Sequence, residues 1–105
     1  MDDNIAAKRN APHISKVTDF SKQIEAIGLM VDKTTTTEWE KVIFATGQVL
    51  ADIRASFSNR EMSIVMTKLE EANQWAGVKH PTYTRMKLYE ARFWCTSYIN
   101  VLKND

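Results

Sequence analysis

Apolar residues recur at helical intervals along most of the chain. Val17, Phe20, Ile24, Ile27 and Val31 follow one another at spacings of 3, 4, 3 and 4, which lines them up on one face of a helix. This predicts a first helix over 17–31. Upstream, Met1 to Pro12 mixes Asp, Asn, Lys, Arg and Pro without a period, so residues 1–15 read as a polar, flexible N-terminal arm. Downstream, Lys33 is followed by four threonines. Threonine is stiff at χ1 and its hydroxyl competes for backbone partners, so the helix should break there.

Thr37 stands three residues before Glu40. That is the spacing of a capping box, in which hydroxyl and carboxylate each satisfy an orphaned backbone N–H. A second helix is therefore expected over 37–56, where Trp39, Val42, Ile43, Val49, Leu50, Ile53 and Phe57 make a stripe broad enough for more than one neighbour. Ser58 and Glu61 repeat the box, so Phe57-Ser58-Asn59 should join two antiparallel helices with hardly any loop. In the third helix, 59–77, Met62, Val65, Leu69, Ala72 and Ala76 again run at 3, 4, 3, 4, and the second helix is its expected partner. Val78-Lys79-His80-Pro81 ends it. Pro81 suits the opening of a fourth helix over 82–103, which Met86, Leu88, Tyr89, Phe93, Trp94, Tyr98, Ile99 and Leu102 fill. The expected fold class is all-α: one domain over 16–105, a long antiparallel helical hairpin with a short N-terminal helix and an additional C-terminal helix.

Within the last two helices, Lys68-Leu69-Glu70-Glu71-Ala72-Asn73-Gln74-Trp75 and Lys87-Leu88-Tyr89-Glu90-Ala91-Arg92-Phe93-Trp94 agree at five of eight positions. A repeated packing unit would produce this, and so would the small alphabet from which helices are built; the second is the simpler account.

Composition narrows the class of function. The chain is 44% hydrophobic and 26% charged with three Gly and two Pro, a globular profile with too few turn formers for a meander of strands. At 105 residues it can build one core. A net charge of +1 is too small to imply nucleic acid, and no DNA partner is expected. The segment from Ala76 to Asp105 is more basic, with Lys79, Arg85, Lys87, Arg92 and Lys103 against Glu90 and Asp105, a lean toward an anionic partner. Cys95 is the single cysteine, no signal peptide opens the chain, and no apolar run is long enough to span a bilayer. A cytoplasmic protein without membrane contact is the expectation.

The residues offer little catalytic equipment. His13 and His80 sit beside prolines without Cys or His at metal spacing, so no metal or cofactor is expected. Cys95, between Trp94 and Thr96 inside a helix, reads as a buried inert thiol. Glu70–Glu71 and Glu38–Glu40 are too close in sequence to share a helix face, and none of the common nucleotide, hydrolase or metalloprotease motifs occurs. What remains is a polar stripe on the third helix: Arg60, Ser63 and Thr67 at i, i+3, i+7, extended by Glu71, with Lys68 alongside. A charged fork followed by hydroxyls along one line can hold a phosphorylated small molecule. A solvated face with an Arg60 to Glu71 charge balance fits the spacing too.

The run SNREMSIVMTKLEEANQWA, residues 58–76, resembles the S-x-R-E-x-S-x-x-x-T-K-L-E-E-A-x-x-W-A segment of the helical-hairpin domain of phage anti-CBASS and anti-Thoeris sponge proteins. With the preceding helix as the hairpin's other arm, the likeness covers about 40% of the chain. It implies a homo-oligomer, a dimer or trimer of dimers, working in the cytoplasm of an infected bacterial cell. Such a protein captures cyclic di- or oligonucleotides or cyclic ADP-ribose variants without cleaving them. It also implies that Arg60 and Thr67 contact the ligand, with Ser63 and Lys68 as further contacts and Phe20 or Tyr83 as rings to stack on bases. Two departures bear on the ligand. The first helix offers only Phe20 and Lys22 or Lys33 where some members use an aromatic and a lysine, and the helix from Thr82 lies beyond the shared hairpin. The alternatives are a small helical module that inhibits or bridges host proteins and, third, an enzyme that degrades the signal.

Overall fold

The structure, a computed structural model, describes residues 5–32 and 36–104. Among the described residues five helices follow one another: α1 (Ile5–Arg9), α2 (Ala11–Met30), α3 (Trp39–Ser56), α4 (Arg60–Gly77) and α5 (Pro81–Asn104). The last three begin within two residues of where periodicity and punctuation place them. The first predicted helix is longer than expected: α2 starts at Ala11, with Pro12 in its first turn, where the missing N–H and fixed φ of proline do no harm. The stretch read as a flexible arm is therefore helical from Ile5; residues 1–4, and Lys33 with its two following threonines, lie outside the described residues. Periodicity missed these turns because α1 buries no residue. They are tied down by a polar contact instead. Asn10 Nδ2 donates to the Leu102 carbonyl at 2.8 Å, filling one of the acceptors that the last turn of α5 leaves orphaned.

Neither predicted capping box forms. The Thr37 hydroxyl turns back to Asp32, accepting from its N–H at 2.6 Å and donating to its carbonyl at 2.9 Å. Thr37 thus closes the connection between α2 and α3, and the residue ahead of α3 is Glu38. Ser58 does not cap α4 either; Asn59 is its N-cap residue and its amide donates to Glu61 Oε1 at 3.2 Å. At the other end of α4, Lys79 adopts φ 58°. Its N–H reaches the Ala76 carbonyl (3.0 Å) and the His80 N–H reaches that of Trp75 (3.0 Å), a Schellman closure with a lysine where glycine is the easier choice. His80 then opens α5, its Nδ1 accepting the Tyr83 N–H at 3.2 Å.

α2, α3, α4 and α5 pack in a ring, each against the next and α5 back against α2, and among the described residues no diagonal pair has backbones in close approach. The third predicted helix was expected to partner chiefly with the second; α4 instead has its most extensive contact with α5. The core is the shared inner side, where Val17, Ile24, Val42, Ile53, Met62, Val65, Leu69, Leu88, Ala91 and Cys95 are buried. A fully buried Leu, Ile, Val or Met stabilises by about 1.5–3 kcal/mol relative to exposure. The body is slim, 53 × 23 × 16 Å, so much of each helix stays on the surface.

α4 and α5 run antiparallel, as Phe57 against Tyr98 at one end (6.0 Å) and Trp75 against Tyr83 at the other (4.7 Å) require. At their crossing the two similar segments meet. Lys68 contacts Glu71 (3.6 Å) and Glu90 (3.3 Å), and Lys87 contacts Glu71 (3.4 Å) and Glu90 (3.3 Å). Beneath this quartet Leu69 and Leu88, Ala72 and Ala91 are buried. Four of the five matching positions thus meet reciprocally, as a local two-fold at the crossing would relate them; the fifth differs, since Trp75 packs on His80 and Tyr83 and Trp94 on Phe93.

Candidate functional site

The stripe singled out in the sequence is a straight exposed line on α4. Arg60, Ser63 and Thr67 are all exposed, and Arg60 makes no ion pair among the described residues. Both hydroxyls donate into their own helix, Ser63 to the Asn59 carbonyl (2.9 Å) and Thr67 to that of Ser63 (3.1 Å). Each therefore offers the outside an acceptor oxygen and no free hydrogen. Glu71 does not balance Arg60, since it faces Lys68 and Lys87. Lys68 is half-buried in that same quartet.

The other sequence candidates do not gather round the stripe. Phe20 is 4% exposed and packs edge-on to Phe57 at 6.2 Å, so its ring belongs to the core and is closed to a ligand; its place in the 3, 4, 3, 4 series already fitted that role. Tyr83 is exposed, but it rests on Trp75 at 4.7 Å. That is the far end of α4, about 22 Å from Arg60 at 1.5 Å per residue. Its ring is also stacked on His80 at 4.4 Å and 10°. Lys22 is exposed on α2. Cys95 is fully buried, and burial pushes its thiol up to about 12, so it is inert as expected. Among the described residues no group of three or more His, Cys, Asp and Glu is placed to hold a metal ion, and no helix is long and apolar enough to cross a membrane.

Sequence reasoning missed a second surface. Between α2 and α5 a hollow of about 160 Å³ is lined by Ile24, Glu25, Gly28, Leu29, Arg85, Leu88, Tyr89 and Arg92. It adjoins one of about 180 Å³ lined by Tyr89, Arg92, Phe93 and Thr96. Large apolar side chains stand in water here: Leu29 is 83% exposed, Tyr89 69% and Phe93 60%. Arg92 Nη2 lies 3.5 Å from Glu25 Oε2, while its Nε is buried with no acceptor. Arg85 is exposed and makes no ion pair among the described residues.

A matching groove runs between α3 and α4, about 550 Å³, lined by Ile43, Leu50, Glu70, Asn73, Gln74 and Gly77. Under the local two-fold, Glu70 corresponds to Tyr89, Asn73 to Arg92 and Gln74 to Phe93. These are the three positions at which the two similar segments differ. The positions that agree pack the helices together; the positions that differ line the two grooves. No family model, curated protein or solved structure matches the chain.

The signal for the α2–α5 groove was present in the sequence as the basic lean of the last thirty residues and the i, i+4, i+7 spacing of Arg85, Tyr89 and Arg92. It was hidden because Met86, Tyr89 and Phe93 read as filling of an apolar helix, whereas all three are exposed.

Proposed function

We propose that the protein captures cyclic nucleotide-type signals, cyclic di- or oligonucleotides or cyclic ADP-ribose variants, without cleaving them, as a phage immune-evasion protein in the cytoplasm of the infected cell. The observation that carries this reading is the line of Arg60, Ser63 and Thr67, exposed on one face of α4 within the segment that resembles the sponge proteins. An unpaired guanidinium recognises phosphate as a bidentate donor. The two hydroxyl oxygens accept from ribose hydroxyls or base N–H groups.

The line is convex, so a tightly held ligand needs a second wall, which a second copy of the chain supplies in this reading with α3 and α4 as the arms of the hairpin. The magnitudes favour such an arrangement. Nanomolar capture requires about −12 kcal/mol, and a ligand of roughly 40 heavy atoms reaches that at about −0.3 kcal/mol per atom only when most of its surface is engaged. A symmetric oligomer presents two copies of Arg60 and Thr67 to one symmetric ligand.

The test is incubation of the purified protein with a panel of such molecules, thermal-shift measurement, and mass spectrometry of what denaturation releases. The expected result is a stabilised protein that returns its ligand intact, with affinity reduced on the order of tenfold by Arg60→Ala. Absence of any shift across the panel, or recovery of a cleaved product, would sink the reading. A second reading, a helical module that inhibits or bridges host proteins, is favoured by the exposed Leu29, Tyr89 and Phe93; it expects Arg60→Ala to leave activity unchanged.

A further inference from the structure

We propose that the groove between α2 and α5 is a binding site for a nucleotide phosphodiester, in which Arg85 and Arg92 hold the phosphate and Tyr89 stacks on a base. It rests on the capture reading for the class of ligand, and is a different surface from the α4 line. Three observations carry it. First, the surface is concave, and its two adjoining hollows of about 160 and 180 Å³ meet at Tyr89 and Arg92. Gly28 forms part of the wall, and a Cβ there would meet nothing within 4 Å, so α2 leaves the floor open.

Second, the donors are incompletely engaged. Arg92 Nη2 is 3.5 Å from Glu25 Oε2, a long contact that leaves the guanidinium fork capacity for a ligand oxygen. Arg85 has no ion pair among the described residues. Arg85, Tyr89 and Arg92 stand at i, i+4 and i+7 on one face, with the Cα atoms of the two arginines about 10 Å apart along the axis and a ring 69% exposed between them. That arrangement is cation, aromatic platform, cation, the combination that grips phosphate on one side and a base on the other.

Third, the charge selects the phosphate. Arg85 and Arg92 against Glu25 leave the groove at +1, which complements a singly charged phosphodiester better than a triphosphate or an acidic peptide. Glu25 in turn accepts from the N–H edge of a base. The related groove on the other side of the local two-fold, with Glu70, Asn73 and Gln74 in place of Tyr89, Arg92 and Phe93, is lined by no aromatic and no basic residue, and the nearby Arg54 is paired with Glu70.

The experiment is titration of the full chain with cyclic di-AMP, cyclic di-GMP, ATP and inorganic phosphate, followed by backbone amide NMR shifts, which read the groove separately from α4. One cyclic dinucleotide should shift amides around Leu29, Arg85 and Tyr89, with ATP and phosphate weaker. Arg85→Ala and Tyr89→Ala should each weaken that binding on the order of tenfold, and Tyr89→Phe should retain it. These side chains are exposed, so the folded amide spectrum should survive each substitution. Shifts confined to 60–71 and lost in Arg60→Ala would overturn the groove and leave the capture reading standing. Groove shifts that depend on protein concentration alone, and vanish in Tyr89→Ala, would make this face a subunit interface and overturn the site. Tighter binding of ATP or phosphate would overturn the phosphodiester. A cyclic ligand held in the groove but recovered cleaved would keep the site and overturn capture; no shift with any probe would overturn both.

Discussion

α4 and α5 share five residues in eight and meet across them, yet their outer faces differ in kind. On α4 the three positions that break the match are Glu70, Asn73 and Gln74, and Glu70 is tied to Arg54 at 3.5 Å. On α5 they are Tyr89, Arg92 and Phe93, two of them large rings standing in water. Packing treats the two helices alike, because each presents a leucine, an alanine, a lysine and a glutamate to the other. Nothing in that packing requires an aromatic on the far side. An exposed ring that the fold does not use, one turn from Arg85, which makes no ion pair among the described residues, is a surface shaped for something else.

The inner equivalence can be broken most forcefully at its leucines. Leu69→Ala and Leu88→Ala should each cost about 2–5 kcal/mol in denaturant unfolding, the price of a buried cavity. They should cost similar amounts; a near-neutral result at one of them would end the equivalence of the two segments. The outer difference is tested by giving α5 the residues of α4, Tyr89→Glu with Arg92→Asn and Phe93→Gln. Tyr89 and Phe93 are exposed, where such changes shift stability by about 0.5 kcal/mol each; Arg92→Asn also gives up the contact to Glu25, and the protein should still fold. Cyclic dinucleotide binding at the α2–α5 groove should disappear. Loss of the fold instead would show that these side chains are structural.

The smallest effect belongs to the quartet at the crossing. Burial alone would raise the Glu90 carboxyl, but hydrogen bonds from Lys68 and Lys87 outweigh it and hold the group below its ordinary value. A carboxyl lowered by folding stabilises above its unfolded value of 4.5 and loses that contribution as pH falls through the folded one. Lys87 is raised above 10.5 by its hydrogen bond to Glu90, so its share is present below 10.5 and lost as pH rises through the folded value. Thermal unfolding should therefore show a shallow loss below pH 4.5 and another above pH 10.5, both reduced in Glu90→Gln. The side chains are 25–38% exposed, so solvent and salt screen the quartet and keep the effect slight.

How much of this was legible varies with what each residue had to satisfy. The buried faces of α2, α3 and α4 were read correctly because period 3.6 is imposed by burial itself: Val17, Ile24, Met62, Val65 and Leu69 are in the core where spacing puts them. Helix ends were read less well, since a cap depends on which of several nearby polar groups wins. Thr37 had Glu40 at the right spacing and bonded to Asp32 instead. α1 and the first turns of α2 escaped notice because α1 buries no residue and a contact such as that of the Asn10 amide with a carbonyl 92 residues away leaves no period in the sequence. Of the candidate site, Arg60, Ser63 and Thr67 stand exposed in line, Phe20 is in the core, and Tyr83 is exposed at the opposite end of α4 from Arg60.

By itself, then, the sequence determined a small all-helical chain and the inner faces of its long helices, because local spacing and burial are coupled through the helix repeat. It also contained the two similar segments, without saying that they meet. Only the tertiary structure decided that α5 is the main neighbour of α4, that Lys68, Glu71, Lys87 and Glu90 converge, and that Tyr89 and Phe93 face water. Which side of an apolar helix finds a partner depends on the helices packed around it, and one helix's own spacing carries no record of them.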